Sequence, residues 1–148
     1  MFYFLKTKKI FDDIRAINKE ILNKIHLIKG DVAVDGLNLE QSDEDELLLN
    51  TNLIFHAAAN TSFLQTLREA VNFNTIGTLR MLKLAEKMRN LVNFTYVSTA
   101  FSQCNEHLDE KYYAAVYNPY GIIEMTSLLK DEGILTDMTP KYYLNASL

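Results

Sequence analysis

The stretch from Phe55 to Phe101 decides the fold. It reads FHAAANTSF over 55–63, REAVNFNTIGTLRMLKLAEKMRN over 68–90 and LVNFTYVSTAF over 91–101. Leu53-Ile54-Phe55 is a short apolar run that passes into three alanines. Val92 to Val97, with Phe94, Tyr96 and Val97 as its apolar members, passes into two hydroxyls, Ser98 and Thr99. Between the two, Leu67, Val71, Asn74, Thr78, Met81, Ala85 and Met88 recur at alternating steps of four and three, the spacing of one helix face. Strand, long helix, strand is the unit from which a parallel sheet is built.

The flanks extend the same alternation. Ile10, Ile14, Ile17, Ile21 and Ile25 predict an amphipathic helix, followed by a strand at His26-Leu27-Ile28 that runs into Lys29-Gly30-Asp31-Val32. Ser42 followed by Asp45 in the acidic segment 41–46 resembles a capping box for a short helix through Leu47, Leu48 and Leu49. Asn118-Pro119 predicts a cap and a first-turn proline for a helix burying Ile122, Ile123, Leu128 and Leu129, with Gly133 as its stop. No internal repeat or low-complexity tract interrupts this order. The fold class is α/β.

Composition bounds the function. At 148 residues the chain holds one domain with a real core. A hydrophobic fraction of 48% and a charged fraction of 23% are those of a globular protein. A net charge of -4 gives no general attraction to nucleic acid or to an anionic membrane. The single cysteine, Cys104, excludes an internal disulfide framework, reads as an ordinary loop thiol and fits a reducing, intracellular compartment. MFYFLKTKK is too short in its apolar run for a signal-peptide core, and no stretch approaches the roughly 20 apolar residues of a membrane span. Three sequons, at Asn60, Asn93 and Asn145, read as chance matches, the second lying in a predicted buried strand. No His, Cys, Asp or Glu cluster has metal-ligand spacing.

Several residues carry chemistry or packing. Ala57, Ala58 and Ala59 at the carboxyl end of a strand let a ligand lie against the backbone, or simply allow tight packing. Gly30-Asp31 is a turn or an adenine contact. Asn74, an amide on an apolar helix stripe, must find partners or cost about 1–3 kcal/mol, so it reaches the strand backbone or a water as a satisfied structural residue, or serves a proton relay. Gly77 costs about 1 kcal/mol in a helix interior unless close backbone approach compensates. A hydroxyl of Ser98-Thr99 either ends the strand locally or donates to a substrate carbonyl.

The set in order, GD, HAAA, N-x-x-G-T and VSTA, resembles the extended short-chain dehydrogenase/reductases. LNLEQSDEDELLLNTNLIFHAAANTSF, REAVNFNTIGTLRMLKLAEKMRNL and FTYVSTAFSQCNEHLDEKYY resemble the fatty acyl-CoA reductases in particular. The likeness is strongest from Gly30 to Asn105 and fades after Tyr113. It implies residues 1–148 are a partial NAD(P)-binding, Rossmann-like doubly wound parallel sheet lacking its first two strands and the C-terminal part, with no second domain. It implies reduction of a long-chain fatty acyl-CoA through an aldehyde to a fatty alcohol with NADPH. Carried over by position, Thr99 matches the catalytic hydroxyl and Asn74 the helix asparagine. Asp31 and Val32 match adenine contacts, while Ala57, Ala58, Ala59 and Ser98 line the cofactor. Family members are often associated with endoplasmic reticulum or peroxisome membranes.

Two expected parts are absent from the sequence. Glycines occur only at 30, 36, 77, 121 and 133, so no glycine-rich phosphate turn is spelled out. No tyrosine has lysine four residues on, so the six tyrosines from Tyr112 to Tyr143 are loop and packing residues, not the family's proton donor. The expectation is a marginally folded, inactive chain whose His26–Ile28 and Leu53–Phe55 strands lack their common neighbours. The competing reading is a short product that has lost catalysis and acts as a binding module; another extended dehydrogenase is the third.

Overall fold

The computed structural model describes residues 9–62, 64–99, 109, 111 and 117–138. Phe101, Cys104, Tyr112, Tyr113, Tyr142, Tyr143 and Asn145 lie outside the described residues. At the centre, β1 (Leu53–His56) pairs in parallel with β2 (Asn93–Tyr96), Leu53 opposite Asn93 and His56 opposite Tyr96. Backbone bonds extend the ladder at both ends, from Val92 N to Asn52 O (2.7 Å) and from Val97 N to His56 O (2.9 Å). Ile54, Phe55, Phe94, Thr95 and Tyr96 are the β-branched and aromatic residues that a pleated, half-buried surface favours.

Burial alternates along β1. Ile54 and His56 point inward, whereas Leu53 and Phe55 face out at 54% and 71% exposure. The inward face packs on Leu37, Leu84, Ala85 and Met88, with Leu47, Leu48, Met81 and Phe94 around them. Leu47 and Leu48 belong to α2 (Gln41–Asn50). Among the described residues, this parallel pair with helices against one face is the whole sheet.

The connection between the strands begins with α3 (Leu67–Ala70), passes through a π-helical segment (Val71–Ile76) and ends with α4 (Gly77–Ala85). Thr66 caps it reciprocally: its hydroxyl accepts from Glu69 N, and the Glu69 carboxylate accepts from Thr66 N. After β2, α5 (Pro119–Leu128) opens on Asn118, whose side chain accepts from Tyr120 N, with Pro119 in the first turn as expected. α6 (Glu132–Met138) follows. Arg68 joins these parts, its guanidinium donating to Thr126 O, Leu129 O and Glu132 Oε1.

Five expectations fail for physical reasons. The isoleucine helix is broken: a 3-10 turn (Lys9–Phe11) leads into α1 (Asp12–Ile17), and a second 3-10 turn spans Lys19–Lys24. Asn18 between them is extended and recaps the chain through Glu20 N, while Ile17 stays 80% exposed, so no packing sustains a longer helix. His26–Ile28 forms no ladder among the described residues, because no neighbouring strand accepts its bonds. Ser42 lies inside α2, whose N-cap is Glu40 without a side-chain bond. Gly133 lies inside α6 instead of ending a helix, and Leu128 is exposed where burial was expected.

The segment before α2 is a tight loop. Asp31 N bonds Leu37 O at 2.8 Å, and Gly36, Leu37 and Asn38 all have positive φ. For Leu37 that conformation costs about 1–2 kcal/mol, which full burial of its side chain offsets by about 1.5–3 kcal/mol.

Candidate functional site

Because β1 and β2 are parallel and in register, their carboxyl ends open on the same edge of the sheet. Ala57, Ala58 and Ala59 leave one end and Ser98 and Thr99 leave the other. The alanines and Ser98 are exposed, and Thr99 is half-buried. Open α/β sheets bind ligands at such an edge.

Asn74 governs the turn after the alanines. Its Oδ1 accepts from Asn60 N at 2.9 Å, and its Nδ2 donates to Asn60 O at 3.2 Å. Gln65 Nε2 donates to the same carbonyl at 3.1 Å, so both lone pairs of Asn60 O are engaged. The amide thus reaches backbone in the turn that follows β1, four residues past the strand's end, not the strand itself. The π-helical segment that carries it inserts one residue per turn, a local widening found often at functional sites.

Behind Asn74 lies a second set of bonds. Thr78 Oγ1 donates to Asn74 O at 2.7 Å and meets His56 Nε2 at 3.0 Å. His56 is only 3% exposed and lies against Tyr96, with ring centroids 5.8 Å apart, and Phe94, at 6.0 Å. Burial pushes the imidazole pKa below its ordinary 6.5.

The Asp31–Val32 loop is fastened to the same helix. A Cβ on Gly77 would come within 3.2 Å of Val32 Cβ and 3.3 Å of Val32 O, so the glycine permits the close approach expected of it. Arg80 donates to Val32 O (3.0 Å) and Asn72 Oδ1 (3.1 Å) and pairs with Asp35 at 2.8 Å, while Asn72 Nδ2 donates to Ala33 O (3.1 Å). The Asp31 carboxylate accepts from Ala33 N at 2.8 Å, closing an Asx turn at an exposed position. One helix therefore holds both the 31–35 loop and the 57–60 turn, through Gly77 and Arg80 for one and Asn74 for the other.

Beside the strand ends an open cleft of about 220 Å³ runs between this helix and the start of α5. Asn74, Thr75 and Thr78 form its polar wall, and Leu79, Leu82, Tyr96, Pro119, Tyr120 and Ile123 its apolar one. Among the described residues no group of three or more His, Cys, Asp and Glu can hold a metal ion. No helix among them is long and apolar enough to cross a membrane.

Residues 3–146 match the family of NAD-binding domains described as male sterility protein. The chain belongs to that family. It is 37% identical over 134 residues to fatty acyl-CoA reductase 1 of Homo sapiens, covering 90% of this chain and 26% of that protein. Fatty acyl-CoA reductase 1 of Mus musculus is 37% identical over 136 residues, 91% of this chain and 26% of its own length. Fatty acyl-CoA reductase 2 of Bos taurus is 37% identical over 134 residues, 90% and 26%. The chain spans about a quarter of the length of these curated relatives. The resemblance read from HAAA, N-x-x-G-T and VSTA is borne out, and membership of an NAD-binding family makes a nicotinamide cofactor its ligand class.

The segment also uses residues to which the sequence alone gave no site role: His56, Gln65, Asn72, Thr78 and Arg80. Thr66-x-x-Glu69 was a visible capping signature. His56 followed the strand's two-residue alternation onto the buried face. The polar pair Asn72 and Arg80 gave no such signal, because their partners are backbone carbonyls 39 and 48 residues away in sequence.

Proposed function

We propose that this segment belongs to the catalytic domain of an NADPH-dependent, alcohol-forming fatty acyl-CoA reductase. Asn74 and Thr99 would be its catalytic residues, with Asp31, Val32, Ala57, Ala58, Ala59 and Ser98 beside the cofactor. The observation that carries the reading is the Asn74 carboxamide closed on the Asn60 backbone at the shared carboxyl edge of two parallel strands. The names of the curated relatives support the substrate class. The strand pair would be part of a doubly wound sheet, whose second face would cover the exposed Leu53 and Phe55.

The residues fit a dinucleotide. Three exposed alanines put no bulk between a ligand and the strand-end backbone, and the exposed Asp31 presents a carboxylate on a loop fixed by Arg80 and Asn72. When bound, the cofactor supplies hydride. Thr99 would donate a hydrogen bond to the thioester carbonyl, stabilising charge as it develops on oxygen. Asn74 would hold the 57–60 turn in register with it. Attachment to an endoplasmic reticulum or peroxisome membrane would rest on parts of the relatives that these residues do not match.

A chimera tests this. Residues 9–99 would replace the matching segment of fatty acyl-CoA reductase 1 of Mus musculus, with acyl-CoA-dependent NADPH oxidation and alcohol formation as readouts. Retained alcohol formation is expected. A folded chimera that oxidises no NADPH with acyl-CoA overturns the reading.

A further inference from the structure

Thr78 Oγ1 stands between two partners. Asn74 O, 2.7 Å away, can only accept. His56 Nε2 is 3.0 Å away on the other side. A hydroxyl owns one proton, and Thr78 directs it to Asn74. The bond to His56 therefore needs its proton from the ring, which selects the Nε2–H tautomer. The ring has little freedom to turn away. It is almost wholly buried on β1 and packed against two aromatic side chains of β2, Tyr96 at 29° between planes and Phe94 at 44°. Burial disfavours the imidazolium, so at neutral pH one proton is shared between two ring nitrogens and its location matters.

The bonds form a directed series. It runs from the His56 ring to the Thr78 hydroxyl and then to the Asn74 carbonyl within the π-helical segment; the Asn74 carboxamide in turn donates to Asn60 O and accepts from Asn60 N. The Thr78 hydroxyl bonds back to the carbonyl four residues before it, the back-bonding a Thr side chain makes within a helix.

We propose that His56 is a positioning residue for Asn74: its Nε2–H directs the Thr78 hydroxyl onto the Asn74 carbonyl and so sets the helical turn that closes on Asn60. The proposal rests on the reading of Asn74 as a site residue. The two fail separately: an Asn74→Ala chimera with unchanged turnover removes that reading and leaves the hydrogen-bond direction standing.

The test uses the 148-residue chain labelled with nitrogen-15, His56 being identified by the ring signals that His56→Gln loses. Long-range proton–nitrogen correlation at neutral pH is expected to show Nε2 protonated and Nδ1 bare. The Nδ1–H tautomer, or an even mixture, overturns the proposal. Thr78→Ser keeps the hydroxyl and should leave the ring tautomer and the Asn74 carboxamide signals in place. Thr78→Val should shift both while the Leu37 methyl signals in the core stay where they are. An unmoved Asn74 carboxamide in the Val variant overturns the positioning role. If that variant unfolds, the Ser variant decides, because loss of the tautomer or of the carboxamide positions there is equally contrary.

Discussion

The carboxamide of Asn74 makes two bonds to one residue, accepting from the Asn60 amide and donating to the Asn60 carbonyl. Asn74→Ala removes both at once, leaving the half-buried Asn60 N–H without its side-chain partner and the Asn60 carbonyl with Gln65 Nε2. The expected loss is about 1–3 kcal/mol of stability, read as a lower midpoint in urea with an unchanged slope. Asn74→Asp keeps the acceptor and loses the donor, so it should fall between. Equal midpoints for all three proteins would show that the closure contributes nothing.

Gly77 is the point of closest approach between helix and loop. Alanine there gains about 1 kcal/mol of helix propensity but puts a methyl within 3.2–3.3 Å of Val32 on both side chain and carbonyl. Overpacking of this kind costs about 1–3 kcal/mol, so Gly77→Ala should be net neutral to destabilising. Weaker protection of the Val32–Leu37 amides in hydrogen exchange would locate the damage. A clearly more stable variant would mean that the loop gives way freely.

Buried His56 makes stability depend on pH. Its folded pKa lies below the ordinary 6.5, so the unfolded chain takes up a proton first as pH falls. The contribution is fully present above about pH 6.5 and is lost as pH drops from there towards the folded pKa, at a rate of about 1.4 kcal/mol for each unit of displacement. Urea midpoints measured at about pH 7.5, 6.5 and 5.5, spanning the ordinary imidazole value, should decline for the native chain. His56→Gln should show a shallower decline, and parallel declines would assign the effect elsewhere.

Arg68 holds the last carbonyls of α5 and the first turn of α6 from across the molecule. Arg68→Ala should release that hairpin locally. Faster hydrogen exchange is expected from Met125 to Leu135, with the β1–β2 amides little changed. Uniform acceleration through the sheet would mean the clamp is part of the global core.

Thr99→Val in the chimera keeps the shape and removes the donor. Turnover is expected to fall by about 10²–10³, the usual consequence of losing one donor to a developing oxyanion, with cofactor affinity unchanged. Unaltered turnover would strike Thr99 from the catalytic residues.

What the sequence made legible was whatever local pattern and burial decide together. Both strands, the Asn118–Pro119 start of α5 and the compensated Gly77 followed from periodicity and cap chemistry. The isoleucine stripe from Ile10 to Ile25 has faultless spacing, yet it breaks at Asn18, because spacing does not supply a surface to bury Ile17. The π-helical segment was invisible for a related reason. Its stripe keeps the four-three rhythm while its cause, the engagement of Asn72 and Asn74 with distant backbone, lies outside the window. Asn74 was flagged as a polar residue in an apolar place. His56 and Thr78, which hold it, fitted their own elements too well to stand out.

The register of β1 with β2 sets a schedule for the newly made chain. Leu53 cannot pair until Asn93 exists, roughly forty residues later, and at about 5–20 residues per second that interval lasts about 2–8 s. During it, Ile54 and Phe55 lack the partner that β2 provides, while the Thr66 cap and the helix behind it can already form. The helix is then the template on which β2 arrives. A ribosome carrying this segment would present the β2-facing edge of β1 open for seconds, long enough for a nascent-chain chaperone to bind it.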